Sequence, residues 1–166
     1  MSPKHKSYRY FYFPLALIIL FVQTKAQQTP GLENGLKLFE EGKYSEAQKN
    51  FSDYLKANPE DIKAWFYLGN SQMENLEYAD AVKSYKKVLK LEPEHVDALF
   101  NRGNAFYELN KMDKTILDLN EVIRLDSSYT DAYVVRGSAW FNLANFLKAL
   151  DDFSSAIGQD PENPSH

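Results

Sequence analysis

Few residues of this chain could carry catalysis, and they do not stand in the patterns that catalysis needs. Cysteine is absent from the 166 residues, which excludes disulfides, cysteine-ligated zinc and thiol chemistry. The three histidines, His5, His95 and His166, lie far apart in the sequence, so a histidine-based catalytic group or metal cluster is hard to build. The neighbours Asp151 and Asp152 diverge on a helix, which disfavours paired-carboxylate chemistry.

Enzyme motifs are missing as well. The sequence contains no G-x-S-x-G nucleophile turn, no G-x-x-x-x-G-K-[ST] phosphate loop and no H-E-x-x-H zinc motif. We therefore expect no catalytic residue, no cofactor and no metal. A hydrolase or sugar-active enzyme is the disfavoured alternative, and hydrolase activity that disappears on carboxylate substitution would support it.

The N-terminal segment differs in kind from the rest of the chain. Three basic residues precede the short apolar run YFYFPLALIILFV, and Ala26 stands where a cleavage site would follow. This pattern predicts a signal peptide over residues 1–26 and export of the remainder. The alternative is an uncleaved membrane anchor, which the length of the run and its internal Pro14 disfavour.

Without residues 1–26 the chain is acidic. That segment holds four basic residues and no acidic one, so 15 basic residues remain against 23 acidic ones, a net charge of −8. An acidic domain without a basic stripe is a poor candidate for nucleic acid or an anionic membrane, and we expect neither as a partner. Hydrophobic residues make up 44% of the sequence, which is ample for a packed core.

Glycine recurs at a constant interval and marks an internal repeat. Each glycine is followed twelve positions later by a small residue, sixteen positions later by a bulky apolar one, and near the end of the unit by proline or serine. The interval is a period of 34, which is typical of stacked helix–turn–helix units. The four series are Gly35, Gly69, Gly103 and Gly137; Ala47, Ala81, Thr115 and Ala149; Phe51, Tyr85, Leu119 and Phe153; and Pro59, Pro93, Ser127 and Pro161.

Each unit reads as two amphipathic helices, because apolar residues recur at i, i+3, i+4 and i+7. Glycine in the first helix and alanine in the second allow close approach, which offsets a propensity cost of about 1 kcal/mol at Gly69. Pro93, after Leu91, ends the second helix. A lone unit cannot bury its apolar face, so we predict a stack of eight helices with turns in FEEGKY, ENLEY, ELNKM and NLANF.

With this pattern the chain resembles a tetratricopeptide repeat protein. Trp65, Leu68 and Gly69 stand at the family's W-x2-L-G positions, and Ala81 and Tyr85 stand at its later small and aromatic positions. The resemblance implies an all-α fold, a right-handed superhelical array of antiparallel helix pairs known as an α-solenoid.

The family's frame divides the array, residues 27–163, into four repeats and leaves a short tail at 164–166. The first repeat departs most from the family, with Gly31 in the tryptophan-type position. The third has Thr115 and Ser127 where alanine and proline are usual, and we expect weaker packing or turn chemistry there. The repeats are 28–61, 62–95, 96–129 and 130–163.

Two arginines depart from the family in a correlated way. Arg102 and Arg136 stand where leucine is usual, and Asp118 and Asp152 follow them sixteen residues later. The first two repeats have neither partner. The matching predicts a structural Arg–Asp pair between packed helices, either within a unit or across to the next.

The resemblance also implies where a ligand would bind, because the first helices of this family line a concave surface. Aromatic rings there supply apolar contact area, and asparagines can bond an extended peptide backbone. The same side chains could instead cover neighbouring helices, since apolar stripes are usually core. The candidate groove residues are Phe66, Tyr67, Asn70 and Met73; Phe100, Asn101, Asn104 and Tyr107; and Val134, Val135, Ser138 and Phe141.

Charge narrows the expected partner. Some family members hold the C-terminal carboxylate of a peptide with basic groove residues, but Asp131 and Val135 occupy positions where such residues would be needed. An acidic ladder at the far ends of the first helices is either solvated surface or part of the site. We expect a basic or apolar protein or peptide partner rather than an acidic one. The ladder is Glu40, Glu74, Glu108 and Asn142.

The C-terminal end of the array has no following repeat in this sequence. Repeat arrays generally need a terminal cap with a polar outer face, and the last helix leaves Ala149, Phe153 and Ile157 without a covering helix. The array could associate end to end with further copies, tolerate an exposed stripe, or belong to a longer protein.

These observations predict an exported, non-catalytic scaffold that binds a protein or peptide in the concave groove. The expected location is the bacterial periplasm or cell surface, or the medium after secretion. The alternative is a membrane-anchored sensor or envelope-assembly subunit with the array outside the membrane. A mature N-terminus at Gln27 would exclude the anchor.

Overall fold

Apolar residues spaced three and four apart build eight α-helices in the computed structural model, which describes residues 29–159. The predicted signal peptide and the tail lie outside the described residues. Within residues 29–159, none of the helices combines the length and apolarity needed to cross a bilayer. The helices are α1 Thr29–Glu40, α2 Tyr44–Ala57, α3 Ile62–Glu74, α4 Tyr78–Leu91, α5 Val96–Glu108, α6 Met112–Leu125, α7 Thr130–Asn142 and α8 Phe146–Gln159.

The turn inside each helix pair repeats one backbone geometry. Gly42, Leu76, Asn110 and Ala144 occupy the same position in successive repeats, and all have positive φ, between 56° and 72°. The next residue's N–H bonds the carbonyl five positions back, as in Lys43 N to Leu38 O at 2.9 Å. This Schellman-type ending costs a residue with a Cβ about 1 kcal/mol, so glycine suits it better than leucine or alanine.

The turn between pairs ends the second helices at a constant register. Helix α4 ends two residues before Pro93, as predicted, and α6 ends at the equivalent residue although Ser127 replaces the proline. The Asp126 carboxylate accepts hydrogen bonds from the Ser128 N–H at 2.9 Å and hydroxyl at 2.6 Å. The expected weakening at Ser127 is therefore offset by a side-chain turn.

Close approach within a pair occurs at the repeated glycines, as predicted. The atoms nearest to a Cβ at Gly69 would be those of the Tyr85 ring, sixteen residues on, at 2.6 Å. At Gly103 the equivalent neighbour is Leu119, at 3.2 Å. Thr115 is fully buried and donates to the Gly103 carbonyl at 3.1 Å, so this departure from alanine adds a bond instead of weakening the pair.

Neighbouring pairs stack through one helix of each. Every second helix packs against the first helix of the next unit, and the first helices α1, α3, α5 and α7 also touch in sequence order. Trp65 and Tyr133 each donate to a backbone carbonyl six residues earlier, at 2.9 and 3.2 Å, which ties a unit to the one before. In the first unit the ring of Tyr54 covers Gly31 at the same position. The first helices therefore form a continuous surface.

Candidate functional site

Half-buried side chains on α3, α5 and α7 form this surface. All of the predicted groove residues are half-buried except Phe141, whose side chain is exposed. Half-burial anchors one side of a side chain in the core and leaves the other side open to a ligand. The fold therefore brings the predicted residues onto one face of consecutive first helices.

Two asparagines and a buried tyrosine form a hydrogen-bonded group at the centre of this face. The Asn70 Oδ1 accepts from the Tyr85 hydroxyl at 2.7 Å and from Asn101 Nδ2 at 3.0 Å. Burial raises the pKa of the Tyr85 hydroxyl, which keeps it a neutral donor. Among residues 29–159, Asn70 Nδ2 and Asn101 Oδ1 have no hydrogen-bond partner, so an amide NH2 group and a carbonyl oxygen remain for a peptide backbone.

A depression of about 250 Å³ opens at this group. Sequence reasoning missed two of its residues. Phe39 lies one repeat before Met73, so the period alone could have found it, whereas Tyr85 on a second helix has the pattern of a core residue. The lining residues are Phe39, Asn70, Met73, Glu74, Tyr85 and Asn101.

Some predicted groove residues also hold the units together. The Phe66 ring stacks on His95 with centroids 5.1 Å apart, and His95 Nδ1 accepts the Ala98 N–H at the start of α5. Tyr67 meets the ring of Phe39 edge to face at 5.3 Å. The alternative role of covering neighbouring helices therefore applies to Phe66 and Tyr67.

The fourth unit offers less to a polar ligand than the second and third. The Ser138 hydroxyl donates to the Val134 carbonyl of its own helix at 2.9 Å. Phe141 packs edge to face on Phe146, with centroids 5.4 Å apart. The free amide groups of the surface lie on α3 and α5.

The predicted Arg–Asp pairs are confirmed, and both lie within a unit. Arg102 donates to the two carboxylate oxygens of Asp118 at 2.8 and 2.7 Å, and Arg136 donates to those of Asp152 at 2.9 and 2.6 Å. Arg136 also reaches Asn120 of the preceding unit at 2.6 Å. Each arginine is thus neutralised by a buried carboxylate.

The groove helices are left with an excess of carboxylates. In α3, α5 and α7 the basic side chain outside these pairs is Lys63, whereas four exposed acidic side chains make no ion pair among residues 29–159. The first helices end, as predicted, at the four residues of the ladder, Glu40, Glu74, Glu108 and Asn142. The unpaired acidic residues of α3, α5 and α7 are Glu74, Asp97, Glu108 and Asp131.

Carboxylates also affect a tyrosine at the junction of the third and fourth units. Burial, with a further contribution from the carboxylates of Asp97 and Asp131, raises the pKa of Tyr129 to about 12. The Tyr129 ring packs on Phe100 with centroids 4.8 Å apart. An aromatic pair beside two carboxylates suits a cationic side chain.

The geometry defines an α-solenoid whose first helices carry acidic and aromatic side chains on one surface. Within the described range, no group of three histidine, aspartate or glutamate side chains is placed to hold a metal ion. The family profile of the tetratricopeptide repeat matches residues 32–75 and 68–130, more than half of the chain. The chain belongs to the tetratricopeptide repeat family. No curated protein sequence matches it.

Solved structures share this architecture. MamA is 25% identical with a TM-score of 0.78, and the match covers 81% of this chain and 73% of MamA. The first tetratricopeptide repeat domain of Spaghetti (RPAP3), bound to the HSP90 peptide SRMEEVD, is 28% identical with a TM-score of 0.60 over 62% of this chain and 82% of that one. YrrB, a repeat protein with an unusual peptide-binding site, is 20% identical with a TM-score of 0.74 over 88% and 75%.

Proposed function

We propose that the concave surface of α3, α5 and α7 binds an extended segment of a partner protein that carries basic and apolar side chains. Family membership makes the chain a protein-interaction scaffold, since a family neighbour at 28% identity is bound to a peptide. The finer proposal names the surface and the charge of the ligand.

The observation that supports the charge preference is that both arginines are paired with buried carboxylates. Asp118 and Asp152 neutralise both guanidinium groups, so neither arginine adds net positive charge that would attract an acidic peptide. Lys63 alone balances the four unpaired carboxylates of α3, α5 and α7. A peptide rich in lysine or arginine would gain favourable contacts, and an acidic one such as SRMEEVD would be repelled.

The depression offers polar and apolar contacts side by side. Asn70 and Asn101 line the depression, and Asn70 Nδ2 and Asn101 Oδ1 can pair with a peptide backbone because neither has a hydrogen-bond partner among residues 29–159. Met73 and Phe39 supply apolar lining beside them. An apolar ligand side chain in the depression would place its backbone next to the two amides.

A peptide-library selection tests the charge preference. The full chain is used to select random peptides, together with the charge-neutralised variant E74Q/D97N/E108Q. A control variant, E46Q/E60Q/E92Q, removes the same charge from exposed residues that lie outside α3, α5 and α7. We expect the wild type and the control to enrich basic and apolar peptides, and the first variant to lose the basic enrichment. Enrichment of acidic peptides by the wild type would refute the proposal.

The proposal includes export. Its support is the N-terminal pattern of basic residues, an apolar run and Ala26, and the proposed location is the periplasm, cell surface or medium of a bacterium. N-terminal sequencing of the protein made by its host decides between the two forms. A start at Gln27 supports the exported scaffold, and retention of residues 1–26 supports the membrane-anchored sensor or assembly subunit.

The proposal includes no catalytic step. Proteins of this family are generally non-enzymatic scaffolds, and the sequence lacks nucleophile, phosphate-loop and zinc motifs. A broad hydrolase screen of the full chain checks this part. Turnover that disappears in a carboxylate variant would contradict it.

A further inference from the structure

The outer face of α8 exposes residues that the preceding second helices bury. Val82, Ile116 and Leu150 occupy the same position in successive repeats, yet their side chains are 6%, 6% and 62% exposed. Phe146 is 59% exposed, whereas its equivalent Met112 is 7% exposed. The expected uncovered set was partly wrong, because α7 already covers Ala149 and the ring of Phe153 packs on Gly137.

The helix that covers each earlier second helix brings one small side chain to this contact, beside a larger one, Phe106 or Trp140. Met112 and Ile116 of α6 pack against Ala139 of α7. Ser71 and Ala105 stand at the equivalent positions of α3 and α5, and all three are fully buried. A helix that covers α8 in the same way must therefore bring a small side chain to Phe146 and Leu150.

The first helix of a second copy does not meet this requirement. Lys37 is the α1 member of the same repeat series as Ser71 and Ala105, and its side chain is 74% exposed. Head-to-tail stacking would place this ammonium, which lies 3.9 Å from the Glu41 carboxylate, on Phe146 and Leu150, and burying a charge is unfavourable. The charge of Lys37 therefore disfavours end-to-end growth of the array by this route.

We propose that α8 of one copy packs against α8 of a second copy, tail to tail, in a two-fold symmetric dimer. On α8, Leu147, Leu150, Ser154 and Ile157 are spaced three, four and three residues apart, the spacing of a helix–helix seam. The stripe contains no charged side chain, so two identical stripes meet without burying charge. A two-fold contact uses the same patch on both copies, so the assembly stops at two copies.

The residue at position 147 differs in type from the equivalent residues of the other repeats. Its equivalents are Ser45, Ala79 and Asp113, none of them a large apolar residue, whereas Leu147 is 78% exposed. Leu147 adds to the exposed apolar face of α8 next to Leu150. The apolar surface therefore extends beyond what one further repeat of this array would cover.

Cysteine cross-linking distinguishes the two geometries, because the natural chain has no cysteine. Full-length S154C, K37C and S52C proteins are oxidised separately, and S154C is also mixed with a size-tagged K37C. Ser52 is an exposed residue of α2 and reports random collision. We expect S154C to form a disulfide dimer about tenfold faster than S52C. A K37C–S154C product, or an S154C rate equal to that of S52C, would overturn the proposal.

Sedimentation of the full chain supplies the second readout. We expect a dimer for the wild type and a monomer for Leu150→Asp, with unchanged helical circular dichroism because Leu150 is exposed. Leu117→Asp is the matched control, since Leu117 is 69% exposed on α6 outside the stripe, and it should remain dimeric. A monomeric wild type, or a dimer that survives Leu150→Asp, would overturn the proposal.

Discussion

The Arg102–Asp118 pair makes a strong prediction because the chain itself contains an alternative to it. In the second repeat the equivalent residues are Leu68 and Ser84, and Ser84 donates to Gln72 at 2.6 Å. The third repeat has no glutamine that could accept a hydrogen bond from a serine at position 118. The double variant that removes the pair is therefore Arg102→Leu with Asp118→Ala. We expect the two substitutions to be far less damaging together than apart.

The magnitudes follow from burial. The Asp118 side chain is 4% exposed and receives two charge-assisted bonds, so Arg102→Leu orphans a buried carboxylate and costs about 3 kcal/mol. Asp118→Ala costs about 2 kcal/mol, because the guanidinium can reach water on its flexible stem. The double variant removes both charges and should cost about 1 kcal/mol, a coupling of about 4 kcal/mol.

Urea unfolding followed by circular dichroism measures the three free energies of unfolding. The denaturant slope of each variant must match that of the wild type for the comparison to hold. Losses that simply add, with the double variant near the sum of the singles, would refute the view that the pair acts as one neutralised unit.

Three further predictions concern the turns, the helix contacts and pH. Leu76→Gly should raise the free energy of unfolding by about 1 kcal/mol, measured by thermal melting, because φ at this residue is 62°. Gly69→Ala should lower it by more than about 2 kcal/mol by forcing a Cβ into the Tyr85 ring, whereas Gly158→Ala, with open space around it, should raise it by about 0.5 kcal/mol. Since the pKa of Tyr129 is raised to about 12 in the folded state, the folded protein holds this proton more tightly, and stability should fall between pH 10 and pH 12 in urea titrations. Equal melting temperatures for the two alanine variants, a loss at Leu76→Gly, or a flat alkaline profile would contradict the respective predictions.

The helix pairs were predictable because the repeat samples each position four times. One degraded copy, such as Gly31, did not hide the frame, and the Arg–Asp pairs were predicted from their absence in the first two repeats. The turn geometry at Leu76 and Ala144 was not predictable from residue type. There, stacking of whole units overrides the preference of a single residue for negative φ.

Details that depend on side-chain direction were less accessible. The side chain nearest to a Cβ at Gly69 is that of Tyr85, because a side chain on a helix points toward the turn before its own Cα. The hydrogen bond from the Tyr85 hydroxyl to Asn70 joins two helices, and the sequence pattern of neither helix predicts it. Phe39 lies in the first repeat, which departs most from the family pattern, so the resemblance does not point to it.

The dissociation constant of a library-selected basic peptide for groove and control variants tests the central claim most directly. Asn104 is half-buried on α5 without a hydrogen bond among residues 29–159, so Asn104→Ala should not disturb the fold. Fluorescence anisotropy should show binding about tenfold weaker for Asn104→Ala, and unchanged binding for Leu117→Ala on the second helix of the same repeat. Equal constants for the wild type and Asn104→Ala, or a loss confined to Leu117→Ala, would contradict a ligand site on the concave surface.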